Sequence, residues 1–444
     1  MDFCLVPLGI VLVISIATSF FASKRESDFF LASRSIRWPM LIGTFIGLHV
    51  GGGFILGNAD AAWNEGIVGS MYGLGLAFGM LFLGLGCSAR LRSLEVATLP
   101  ELLAQRFGSP LLKRAAGLLA VACLGGILIA QALGIWKFLL SLGFSNPLIF
   151  VATWGSVVLY TAFGGLLAVV WTDTIQAVVM VVMLLVTLCC ALLPHWSEIS
   201  TQAISMGVQW SGVSAASLIF PLCYIFVTQD IAQRCFAAHS PSDARKGCLG
   251  TAAALALLTV IPTACGILGK ALHVTPEDGS VFMQVVQKLS HPIVFVMAAS
   301  AVLLAIVSTT SAVLLALGSN VAHDITTAGT KGRLITSAIG ICAMAGPWIG
   351  GDIISWIVTC NELAVGAVFL PVLYSLFSKR PLLPKEAAWG SFVFGTAGTL
   401  LSHVDPANLL GALAPLAFSF VGFVGGLIVG KKEFLAGNQE LMAE

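Results

Sequence analysis

The chain has 444 residues, of which 58% are apolar or aromatic (AVILMFWYC) and only 10% charged (DEKR). Soluble domains carry about 25% charged residues, so this composition cannot supply a water-facing surface. The apolar set, about 257 residues, is close to the roughly 260 that thirteen membrane-crossing helices of about 20 residues need. A formal net charge of +1 directs the chain to neither nucleic acid nor an acidic partner.

Long apolar runs predict helices near 4–23, 37–64, 67–89, 113–142, 146–163, 166–193, 212–236, 247–270, 291–320, 334–350, 352–376, 386–403 and 407–430. The first run has no basic segment before it, so it is expected to be a retained helix rather than a cleaved signal peptide. The outer loops 194–211 and 271–290 have room for small caps, and the inner stretch 90–112, with Pro100 and Glu101, for a short surface helix. If the N-terminus lies outside, 19 of the 22 lysines and arginines, Arg234 among them, fall in cytoplasmic loops. Lys137, Lys270 and Lys288 are then left in or near the outer half. That asymmetry fits an N-out, C-in orientation. The eleven cysteines show no zinc or redox spacing and are expected as free thiols filling packing space. No His/Glu pair has zinc-ligand spacing, no phosphate-binding glycine loop is present and no nucleophile–base set stands out. Enzymatic chemistry is therefore disfavoured.

Three segments break the rules of a membrane interior. In the second helix Gly47, His49, Gly51, Gly52 and Gly53 fall together. Three consecutive glycines weaken a helix, and unwound backbone at membrane depth lines a cavity or site. The competing reading is glycine for close helix packing. The second segment is the run Ala305 to Ser311. Ala305, Ser308 and Thr309 share one helix face at i, i+3 and i+4. Their two hydroxyls and one carbonyl could form an all-oxygen cage for a cation such as sodium, or the hydroxyls could simply bond back to their own turn. Third, Asn361 and Glu362 fall at mid-span of 352–376. A carboxylate there costs roughly 2.5–3.5 kcal/mol to insert. It could meet a cationic solute group, carry a coupling proton or form a salt bridge between helices. Asp173 and Asp230 fall nearer predicted cytoplasmic ends, where a structural role is the default. Gln131 and Trp136 read as packing residues by pattern alone.

Five stretches together resemble the sodium:solute symporter family. They are Thr98-Leu99-Pro100-Glu101-Leu102-Leu103 with Arg106-Phe107-Gly108; Gly164 to Gln176 around Trp171-Thr172-Asp173; Gln229-Asp230-Ile231-Ala232-Gln233-Arg234; and Gly366 to Pro371. The resemblance runs from about residue 4 to 430 and implies the LeuT fold: two five-helix inverted repeats with broken first helices and a site at mid-membrane. The repeats would be 37–193 and 212–376. Residues 1–36 would form a peripheral helix and inner loop before them, and 386–444 two further helices and a short cytoplasmic tail. The family's sodium site would fall on the carbonyls of Gly47, Val50 and Ala305 and the hydroxyls of Ser308 and Thr309. Asp173 and Ser311 would serve sodium release or a second sodium, although Ala312 lacks the hydroxyl expected beside Ser311. His49, Phe54, Gln131, Asn361 and Glu362 would line the solute cavity, and His49 with Glu362 suggests a solute bearing a cationic or donor group.

The implied function is sodium-coupled import of a small organic solute by alternating access. The implied setting is a plasma membrane, a bacterial inner membrane in particular. Proton coupling through Glu362 or His49 and a non-transporting solute sensor are the alternatives. The expected partners are the solute, the sodium ion and the lipid bilayer, and the sequence calls for no obligate protein partner.

Overall fold

The computed structural model describes residues 9, 29–275, 280–326, 331–349, 353–404 and 408–441. The predicted first helix, 4–23, lies outside them except for residue 9. No strand occurs among the described residues, only an isolated bridge between Ile36 and Ala238. Among the same residues, eight helical stretches are long and apolar enough to cross a membrane.

The predicted second helix is in two parts. α1 (Trp38–His49) stops at the glycines, and a π-turn over Gly53–Gly57 leads into α2 (Asn58–Glu65). Val50 leaves helical geometry, with φ −82° and ψ 67°. α3 (Met71–Phe82) continues through another π-turn to Ser93. α4 (Leu99–Phe107) is the expected short inner helix. Thr98 caps it by accepting from Glu101 N at 3.2 Å, Pro100 stands in its first turn, and Gly108 closes it in the left-handed region at φ 59°.

α5 (Pro110–Ser141) is followed by α6 (Pro147–Thr187), which at 41 residues is about twice the length a bilayer needs. Gly165, at φ 61° and ψ −167°, divides it where the predicted boundary between 146–163 and 166–193 falls. The chain there lies against residue 29, and Leu166 N donates to the Phe29 carbonyl at 2.9 Å. A Cβ at Gly165 would stand 2.8 Å from that same oxygen. The short helix α7 (Trp196–Met206) precedes α8 (Gly212–Tyr224) and α9 (Gln229–Ala237). These last two replace the single helix predicted at 212–236, with a break at 225–228.

α10 (Pro241–Leu258), α11 (Val260–Ala271) and the short helix α12 (Val281–Leu289) follow. α13 (Pro292–Asn320) is buried on every side from Ala298 to Asn320, as befits a helix at the centre of a bundle. It packs on α6, α5, α1 and α9. α14 (Gly332–Ala343), α15 (Ile353–Phe377), α16 (Lys385–Ser402) and α17 (Ala414–Leu441) complete the chain. The backbones of α16 and α17 nearly touch: a Cβ at Gly390 would lie 2.0 Å from the Gly422 carbonyl oxygen. Small residues at such a seam let two apolar helices gain dispersion contacts where lipid supplies no hydrophobic drive.

One basic residue departs from its expected place. Arg234 is not in a cytoplasmic loop but fully buried in α9, where it pairs with Asp173. The break before α9 turns this segment into the bundle, and the acid makes burial of the guanidinium tolerable.

Candidate functional site

The break in α1 frees carbonyls that the next helical turn would otherwise use. The Gly47 and Leu48 carbonyls face α13 instead. Ser308 Oγ lies 2.7 Å from Gly47 O and 3.1 Å from Ala305 O. Thr309 Oγ1 lies 3.2 Å from Gly47 O, 3.0 Å from Leu48 O and 3.0 Å from Ala305 O. Five close oxygen–oxygen contacts thus share two hydroxyl protons, because each hydroxyl donates once. The remaining contacts set lone pair against lone pair, an arrangement that a hard cation relieves. Backbone carbonyls and hydroxyls are the neutral oxygen donors such an ion takes. Gly47, Ala305, Ser308 and Thr309 come together as expected. Val50 is buried next to them, but the further carbonyl in contact with the hydroxyls is that of Leu48.

Beneath this cluster lies a buried ionic network. Asp173 Oδ2 accepts from Thr44 Oγ1 at 2.7 Å and from Arg234 Nη2 at 3.1 Å. Arg234 Nε donates to the Thr44 hydroxyl at 2.7 Å and Nη1 to the Asp230 carbonyl at 2.9 Å. Ser311 Oγ lies 3.5 Å from Asp173 Oδ1 and 3.0 Å from Ser308 O. Ser311 therefore stands between the carboxylate and the oxygen cluster. The Asp173 charge is already matched by a guanidinium.

On the other side of Thr309 a pocket opens between the two helix breaks. His49, Phe54, Gln131 and Asn361 line it. Glu362 does not. Consecutive helix residues point about 100° apart, so Asn361 faces the pocket while Glu362 turns to α16 and accepts from Ser402 Oγ at 3.1 Å. Trp136 packs edge-on against Phe150 at 5.9 Å, in keeping with a packing role.

The sequence reading missed Asp230, Tyr72 and Tyr224, which also line the pocket. Reading 212–236 as one helix carried Asp230 to a membrane face; the break returns it to the interior. The paired pattern Asp230/Arg234 was the available signal, since two buried charges one turn apart rarely lie idle.

Two broken helices around a mostly apolar pocket with a few polar groups, beside an oxygen cluster inside an apolar bundle, define a secondary carrier of the LeuT type. The sodium:solute symporter family matches residues 29–392, and the chain belongs to it. It is a multi-pass membrane protein and a sodium-coupled symporter of a small organic solute, with sodium as the transported coupling ion. Similar proteins include the high-affinity proline transporter of Bacillus subtilis, 27% identical over 86% of this chain and 88% of that one. The sodium/pantothenate symporter of Escherichia coli is 24% identical over 98% and 96%. Among solved structures, a Na+-coupled sialic acid symporter superposes with a TM-score of 0.79 at 17% identity, covering 97% of both chains.

Proposed function

We propose that the carbonyls of Gly47, Val50 and Ala305 with the hydroxyls of Ser308 and Thr309 hold the coupling sodium, with Leu48 O joining them. The solute then binds in the adjoining pocket against His49, Phe54, Gln131 and Asn361. The observation that carries this reading is the proton-poor oxygen cluster at the α1 break. Thr309 belongs to both the cluster and the pocket wall, so an ion drawing Thr309 inward reshapes the solute site. Ordering the break by sodium is the differential contact that shifts the carrier toward its solute-binding state. Asp173 and Ser311 offer the ion its way out of the cluster, and the Asp173–Arg234 pair must loosen for the carboxylate to receive it.

In this proposal the two repeats span 37–193 and 212–376, in a thirteen-helix chain with the N-terminus outside the plasma membrane and the C-terminus in the cytoplasm. Glu362, engaged with α16, is no longer part of the solute cavity. The test is sodium-dependent thermal stabilisation of the purified protein, with choline as the control cation. Ser308→Ala combined with Thr309→Ala is expected to abolish the sodium effect while keeping the fold. Undiminished stabilisation by sodium in that variant would remove the proposed cage.

A further inference from the structure

We infer that Asp230 anchors a protonated amino group of the transported solute, which makes the cargo an organic ammonium compound, cationic or zwitterionic. The inference rests on the pocket being the solute site, as proposed above. Asp230 begins the first turn of α9, is only 5% exposed and forms part of the pocket wall. Its carboxylate makes no salt bridge among the described residues, although the Arg234 guanidinium one turn on acts on it through space. Arg234, one turn further on, spends its guanidinium on Asp173, on Thr44 and on the Asp230 backbone carbonyl. Ile231 N at 2.8 Å and the Thr228 hydroxyl both donate to Oδ1.

The rest of the wall asks for the same chemistry. His49 Nδ1 lies 2.7 Å from the Phe45 carbonyl. A carbonyl only accepts, so Nδ1 carries a proton, and in the neutral imidazole Nε2 is then the acceptor. Nε2 is buried without a partner, and so is Asn361 Oδ1. Two acceptors without partners and a carboxylate that no salt bridge engages favour a ligand rich in N–H donors that brings positive charge. A buried carboxylate alone is costly, and an incoming ammonium offsets that cost by a charge-assisted hydrogen bond. Sodium fits this position less well, because backbone N–H and hydroxyl donors already approach the Asp230 carboxylate, whereas the oxygen cluster at Thr309 is short of them.

The experiment measures sodium-driven currents in proteoliposomes for matched solutes. The probes are L-proline, pyrrolidine and cyclopentanecarboxylate; L-lysine, cadaverine and hexanoate; and D-glucose as a neutral control. Only nitrogen-bearing members should evoke current. Asp230→Asn should raise the half-saturating solute concentration about tenfold or more, while the half-saturating sodium concentration stays within about twofold. Three results would overturn the inference: currents from the nitrogen-free probes, none from any amine, or a change in Asp230→Asn that falls on sodium instead of solute. If Asp230→Asn does not fold, the wild-type panel decides alone. Sodium stabilisation measured without solute reports on the symport reading separately, so the two can fail independently.

Discussion

Ser308 and Thr309 have two protons for five oxygen contacts, and that shortage makes single atoms in this cluster consequential. A methyl group at Gly51 would stand 2.6 Å from Thr309 Oγ1, close enough to force the hydroxyl aside. Gly51→Ala is therefore expected to raise the half-saturating sodium concentration several-fold with little change in melting temperature; sodium titration of solute-evoked current checks it. Arg234 presents the complementary case. Arg234→Met strands Asp173 among apolar groups and should cost about 3–5 kcal/mol of stability, measured by thermal melting in detergent. Adding Asp173→Asn to it should recover part of the loss, because the carboxylate that Arg234 had matched is then gone as well. A melting curve for Arg234→Met that matches the wild type would mean the pair contributes nothing.

At the scale of elements, the helix breaks set the site, and the two were not equally legible. Three consecutive glycines marked the break after His49 in the sequence. The break at 225–228 follows Pro221 inside α8, and nothing glycine-rich announces it. Asp230 was consequently given a structural role and Tyr224 went unnoticed, while His49, Phe54, Gln131 and Asn361, which line the same pocket, were named from the sequence. Glu362 was misplaced for a different reason: depth in a helix is readable from position, but the face it turns to depends on neighbours whose packing a single sequence does not reveal. α4 shows local and long-range bonding meeting in one residue. Thr98 caps this helix and also donates to the buried Asp324 Oδ1 at 2.7 Å. Gln229 clasps the same segment through Leu99 N and Ala97 O, both at 3.0 Å. Thr98→Val should lower stability by about 1–2 kcal/mol from the lost cap alone, and Thr98→Ser should restore most of it. Equal melting of the two variants would contradict that role.

For the whole molecule, scarcity of charge identified the membrane class, and the apolar runs located most helices to within a few residues. The short helices α7, α12 and α4 also fall within the stretches expected to hold them. Arg234 is the exception that the basic-residue asymmetry could not detect, since a count of charges does not register an ion pair formed across 61 residues. The central claim is that a sodium gradient drives solute through this bundle. It is tested most directly in proteoliposomes given a defined mixture of amino acids, amines, sugars and organic acids, with sodium, potassium and proton gradients imposed one at a time. The account predicts current and accumulation with inward sodium alone, enhanced by an inside-negative potential worth about 2.3 kcal/mol per charge per 100 mV. Transport that ignores sodium and follows the proton gradient would contradict it.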